Sequence, residues 1–168
     1  NLNGYSPSSG IKDAVDAIAR EAERKGISNI QDVFVTTGAS EAIDICLTSL
    51  VNEGENVLTP TPGYPLYTAI SSKLQMMENP YYLDEVNGWQ PDIEDIKSKI
   101  NDKTKAIIVI NPNNPTGSNC KKETILQIIE LAKKHNLVIF ADEIYDKLLF
   151  DHSKLVSIAS LDSEVPII

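Results

Sequence analysis

Two stretches of this chain, residues 105–110 (Lys-Ala-Ile-Ile-Val-Ile) and 137–141 (Leu-Val-Ile-Phe-Ala), are apolar almost from end to end. A strand with one wet face alternates apolar and polar residues, whereas a strand that does not alternate must be covered on both faces. Between the two runs the period changes: residues 121–135 carry apolar side chains at helical spacing and predict an amphipathic helix. The same exchange of periods runs along the rest of the chain. Ile11, Val15, Ile18 and Ala19 predict a helix over residues 10–25, residues 33–36 (Val-Phe-Val-Thr) a short strand, and Ala42, Ile45, Cys46 and Leu50 a helix over 40–51. A strand at 56–59 ended by Pro60, a helix at 64–74, a strand at 76–83 and a short charged helix at 92–99 complete the series. Buried strands alternating with helices specify an α/β fold: a mostly parallel central sheet flanked by helices on both faces.

The chain has 168 residues, about one domain in length, with 42% hydrophobic residues, enough for a real core. Its formal net charge of -9 argues against nucleic acid as a partner, since phosphate binding needs clustered cations. The basic pairs Lys121-Lys122 and Lys133-Lys134 read as solvated helix faces. No apolar run approaches the ~18 residues of a membrane span, and the first residues lack the basic and apolar regions of a signal peptide. Two cysteines, Cys46 and Cys120, are no disulfide framework and fit a reducing, cytoplasmic setting. His135 and His152 have no ligand spacing to each other, so no metal site is expected. Cys46 sits mid-helix on an apolar face, which speaks against a Cys–His nucleophile. The absence of an initial Met and the strand-like run at 165–168 create the expectation that this is a piece of a longer chain.

In parallel sheets covered on both faces, ligands bind beyond the carboxyl ends of the strands. Polar residues do gather there: 36–40, 61–64, 111–117 and 142–145. Gly38-Ala39-Ser40 opens a helix with small residues, which suits an anion at free backbone N–H groups; a plain N-cap by Ser40 or Thr37 is the competing reading. Asp142 follows an apolar strand, where a carboxylate is costly unless paired. It can serve a protonated ring nitrogen of a cofactor, a metal, or a turn. Glu143 beside it reads as a surface or helix-end residue. Asn111-Pro112-Asn113-Asn114-Pro115-Thr116-Gly117 forces extended or turn geometry before each proline. It is either a loop closed by its own side chains or a loop that presents Asn114 to a ligand. Tyr64 can stack on a flat ring or simply pack. Tyr145 lies one short turn after Asp142, and Tyr5 lies in a loop ahead of Gly10.

Together these loops resemble the class I/II aminotransferases, fold-type I enzymes that depend on pyridoxal 5'-phosphate (PLP). The resemblance covers essentially the whole chain. Its most specific element is Asn111 to Gly117 followed by Ala141-Asp142-Glu143-Ile144-Tyr145; residues 5–10, 36–42 and 60–65 support it. Alanine and aspartate aminotransferases are the most similar pattern. The resemblance implies that Gly38, Ala39 and Ser40 form part of a phosphate cup, that Tyr64 stacks on the pyridine ring, and that Asn114 and Tyr145 bond the cofactor's phenolic oxygen. Asp142 would pair with the ring nitrogen, and Tyr5 would reach the partner's phosphate in a homodimer. Asp142 and Tyr145 are the expected catalytic residues. The activity implied is transfer of an amino group between an amino acid, alanine or aspartate/glutamate, and a 2-oxo acid. A PLP-dependent lyase of the same fold and the PLP-binding module of a transcription regulator are the alternatives. Residues 1–168 would be part of the large domain, without the N-terminal segment or the C-terminal small domain. The Schiff-base lysine of the family has no match, since Lys147 and Lys154 come too early, and the isolated piece is expected to be inactive.

Overall fold

The computed structural model describes residues 4–150, 154–162 and 164–168; His152 therefore lies outside the described residues. Five helices and five strands follow in the order α1 (Lys12–Arg24), α2 (Ala39–Leu50), β1 (Asn56–Thr61), α3 (Pro65–Lys73), β2 (Met77–Asp84), β3 (Gln90–Pro91), α4 (Ile93–Lys99), β4 (Thr104–Ile110), α5 (Lys122–His135) and β5 (Val138–Asp142). A short 3-10 helix, Ile158–Ser160, comes after them. The sheet order is β3-β2-β1-β4-β5, parallel throughout except that the short β3 runs antiparallel to β2.

Side chains alternate across this sheet and bury both faces. Leu58 of β1, Ile107 and Val109 of β4 and Ile139 of β5 pack with Ile125, Ile128 and Ile129 of α5 and Ile96 of α4. Val57, Ala106, Ile108, Ile110 and Phe140 point the other way, against Ile43 and Leu47 of α2 and Tyr67 and Ile70 of α3. The continuous apolar runs that predicted a doubly covered sheet are these two sets interleaved. Local chemistry fixes the helix ends. Asp92 accepts the Glu94 and Asp95 N–H groups, both at 3.0 Å, and starts α4. Asn136 in the left-handed conformation stops α5.

Two expectations need correction, and one that holds has a qualification. Residues 33–36 form no strand: Phe34 is 64% exposed, and the Val35 N–H bonds the Ser9 carbonyl instead of a ladder. β-branched composition favours a strand only where a neighbouring strand supplies partners, and none of the described strands lies beside these residues. Pro60 does not end β1, which continues to Thr61. The Asn56 N–H reaches Lys103 on the β4 side, so alternation puts the Pro60 nitrogen on that side too. There β1 and β4 are paired only as far as Leu58, and no ladder donor is missed. Helix α1 forms, yet none of its residues is buried; Lys25–Asp146 at 2.6 Å and Lys147–Glu21 at 3.0 Å tie it to the segment after β5. At the other end of the chain the strand-like run does pair, with Ile167 bridging Ile139 in parallel.

Candidate active site

Two adjacent cavities, of about 200 and 240 Å³, open at the carboxyl ends of β4 and β5 beside the start of α2. Ala39, Ile43, Asp142 and Ile144 line both. Ser40, Tyr64, Ile110, Asn114 and Tyr145 complete the second, and Cys46, Tyr67 and Phe140 belong to the first.

Asp142 is the last residue of β5, paired in register with Ile110. The β5 ladder delivers its backbone to the mouth of the sheet, and Asn111 N–H holds its carbonyl at 2.9 Å. The side chain accepts a 2.8 Å hydrogen bond from the Tyr67 hydroxyl through Oδ2. The Ile144 N–H lies 3.4 Å from Oδ1. Asp142 takes part in none of the ion pairs formed among the described residues, so its negative charge is uncompensated by protein cations. Tyr67 is 2% exposed. Burial, and then the Asp142 carboxylate, push its phenol far above the usual range, so it remains a donor.

Helix α2 begins at Gly38, whose φ of 80° places it in the left-handed region, and no side chain caps the helix. This removes the Ser40 and Thr37 capping alternative. The Ala39, Ser40 and Glu41 N–H groups take no protein acceptor among the described residues, while Thr37 N–H bonds back to Glu41 at 2.5 Å. Free N–H groups and the positive helix end therefore face the second cavity.

The 111–117 loop divides its labour. Asn111 Oδ1 accepts the Cys120 N–H at 2.9 Å. Asn113 Oδ1 accepts from the Thr116 amide at 3.2 Å and hydroxyl at 2.9 Å, and the Gly117 N–H bonds the Asn113 carbonyl at 2.8 Å. These residues close the loop, as the structural alternative expects. Asn114 takes no part in that closure and lines the cavity. The next loop turns in one step, with the Asp146 N–H on the Glu143 carbonyl at 3.0 Å, and so brings Tyr145 into the wall that Asp142 shares.

A family model described as "Aminotransferase class I and II" matches residues 1–168. The chain belongs to that family. An alanine aminotransferase of Mycobacterium tuberculosis is 46% identical over 161 residues, covering 94% of this chain and 38% of its own length. The glutamate-pyruvate aminotransferase AlaA of Escherichia coli is 42% identical over 160 residues, covering 94% and 40%. Among solved structures, an alanine aminotransferase from Pyrococcus furiosus superposes with a TM-score of 0.93 at 38% identity, over 98% of this chain and 42% of that one. The chain thus spans about two fifths of the length of these curated relatives.

Of the residues an aminotransferase reading singles out, Ala39, Ser40, Tyr64, Asn114, Asp142 and Tyr145 come together around one space. Gly38 sits one residue outside it as the helix cap. Tyr5 lies apart, fully exposed. No lysine lines either cavity, and Lys147 is engaged with Glu21. Glu143 is a correction. It is half-buried, accepts the Ile158 N–H at 2.8 Å, and burial raises its carboxyl above the usual range against that bond's opposing effect. Its role is to fasten the segment around Ile158. Sequence reasoning missed Tyr67, whose one signal was its position three residues after Tyr64, one helical turn along α3.

Proposed function

We propose that residues 1–168 are most of the PLP-binding part of a longer aminotransferase whose remaining segments include the lysine that would hold the cofactor. Enzymes of this family use PLP. The observation that carries the reading is Asp142: a carboxylate without a protein cation, oriented by Tyr67, on the wall of a space that also offers free helix N–H groups. This donor set fits the group, with free helix amides for an anion, an acceptor for a protonated ring nitrogen, and an aromatic side chain on the same cavity wall.

Ala39 and Ser40, with Gly38 setting the helix start, would bind the phosphate through backbone amides and the Ser40 hydroxyl. Tyr64 would lie against the ring and exclude water from that face. Asn114 and Tyr145 would donate to the phenolic oxygen. Asp142 would keep the ring nitrogen protonated. Bound there, PLP would supply an electron-withdrawing ring able to accommodate the charge left when an amino acid loses its α-proton. Asp142 therefore acts on the chemistry more than on binding.

The named relatives support alanine and glutamate with their 2-oxo acids as the substrate class. A homodimer in which Tyr5 meets the partner's phosphate accounts for its complete exposure. No described helix is long and apolar enough to cross a membrane, and we place the protein in the cytoplasm. In the full-length protein, Asp142→Asn should retain PLP while losing most transamination between alanine and 2-oxoglutarate. Near-normal turnover would remove Asp142 from the ring-nitrogen role, and failure of the unaltered protein to bind PLP would remove the function itself.

A further inference from the structure

Tyr145 reaches the cavity from the turn after β5, a stretch with neither a helix nor a sheet ladder to hold it. None of the side-chain hydrogen bonds formed among the described residues involves its hydroxyl. Its place therefore depends on its neighbours. Two carboxylates flank it, Glu143 before and Asp146 after. Glu143 accepts the Ile158 N–H at 2.8 Å, and its carbonyl accepts the Asp146 N–H at 3.0 Å. The turn thus draws two half-buried acidic groups towards each other, and like charges repel most where water is excluded. One cation answers both. Lys25 pairs with Asp146 at 2.6 Å, both side chains half-buried. Burial raises the Glu143 carboxyl above its usual range, the Lys25 charge opposes that rise, and the Asp146 charge adds to it. Lys25 is also well fixed. It is the C-cap residue of α1, with its N–H bonded to the Glu21 and Ala22 carbonyls, each at 3.1 Å, and its charge suits the negative end of the helix.

We infer that Lys25 is a positioning residue for the site: from the end of α1 its ammonium clasps the turn between Glu143 and Asp146 and so holds the Tyr145 hydroxyl at the cofactor's phenolic oxygen. The inference rests on the PLP reading above. An exposed ion pair contributes little, but a half-buried cation that serves two carboxylates does more than join two surfaces. Without it, Glu143 and Asp146 face each other unshielded, and the bond from the Asp146 N–H to the Glu143 carbonyl is the weakest place for the turn to open. Tyr145 lies inside that bond and moves with it. A hydroxyl hydrogen bond spans a window of only about half an ångström, so a small opening of the turn withdraws the donor from the phenolic oxygen. Helix α1, which buries none of its residues, thereby acquires a part in the site through its last turn.

The test uses the full-length holoenzyme and reads the pH midpoint of the absorbance change of bound PLP. A hydroxyl that donates to the phenolic oxygen stabilises its anionic form, so losing the donor raises that midpoint. Tyr145→Phe sets the scale and should raise it by roughly 1–2 units, the range of one hydrogen bond to a charged group. Lys25→Met should raise it by about half a unit or more, with PLP still bound. Asp146→Ala should raise it too, and carries the same test from the other side of the pair should Lys25→Met fail to fold. The common sign is decisive: acting through charge alone, loss of a cation raises the midpoint and loss of an anion lowers it. In the Tyr145→Phe background neither substitution should add a shift, and Lys25→Arg should keep the wild-type value. A merely structural role for Lys25 would lower stability to urea and leave the absorbance midpoint in place. That result, a lowered midpoint in Asp146→Ala, or a shift that persists without the Tyr145 hydroxyl would overturn the inference. If Tyr145→Phe moves the midpoint and Lys25→Met does not, only the role of Lys25 fails. If Tyr145→Phe does not move it, the assignment of Tyr145 to the phenolic oxygen fails as well.

Discussion

Gly63 offers the sharpest test of how the backbone delivers Tyr64 to the site. A Cβ on Gly63 would stand 2.2 Å from the Pro60 carbonyl oxygen and 3.3 Å from its carbon. Contacts under 3.0 Å are essentially never made, so something must move by at least the difference between 3.0 and 2.2, or 0.8 Å. Pro60 cannot yield easily. It lies within β1 and is held in register against Tyr81 of β2. The displacement therefore falls on residues 62–64, and Tyr64 is carried with them. Overpacking of this kind costs roughly 1–3 kcal/mol, and a shift approaching 1 Å in a positioning residue can lower a rate by about a hundredfold. Gly63→Ala in the full-length protein should lower the urea midpoint and weaken PLP binding, read by quenching of protein fluorescence. Gly88→Ala is the matched control. Gly88 has a φ of 70° with nothing within 4 Å of a new Cβ, so it should lose about 1–2 kcal/mol of stability from backbone strain alone. It lines neither cavity, and PLP affinity should hold. If Gly63→Ala matches wild type in both midpoint and affinity, the close approach to Pro60 does not fix Tyr64 and the reasoning is wrong.

Other outcomes follow from single contacts. Asp92→Ala removes the acceptor of two backbone N–H groups at the start of α4 and should cost about 0.5–2 kcal/mol in urea denaturation, with Asp92→Asn recovering most of it. Glu143 has a folded-state pKa raised by burial, so the folded state favours its protonated form. Its contribution is fully present below the unfolded carboxyl value and is lost as pH rises through the folded value. Glu143→Gln, which can still accept the Ile158 N–H, should therefore gain stability relative to wild type as pH rises through that window. A difference independent of pH in paired denaturation curves would refute the burial argument.

What the sequence made legible was the part governed by short-range pattern. The runs at 105–110 and 137–141 appear as β4 and β5, and the helical spacing of 121–135 as α5 within a residue at its start. The polar loops were readable because a parallel sheet sends all its carboxyl ends to one side, so residues far apart in sequence must meet there. Asn111 and Asn113 could not be told from Asn114 by composition; only the closed loop distinguishes the two that bond their own backbone from the one that does not. Tyr67 was hidden for the same reason, since its partner Asp142 lies 75 residues away.

The strand expected at 33–36 failed in an informative way. Its residues have the right chemistry, but a strand is a relation between two segments, and pairing requires a neighbour at about 4.8 Å. A helix carries its hydrogen bonds within itself and so can form with no buried face, as α1 does, held by two ion pairs at its carboxyl end, of which Lys25–Asp146 is half-buried. The exposed row of Ile11, Ile18, Phe34 and Val35 is therefore what these rules produce when apolar segments lie away from a covering layer: the helix persists and the strand does not. The cavity escapes this dependence at its base, because Asp142, Tyr67 and Ala39 all spring from elements anchored in the two cores. The Tyr67–Asp142 contact is made within residues 1–168, so substitutions at these two positions should report on the cavity wherever the rest of the protein lies.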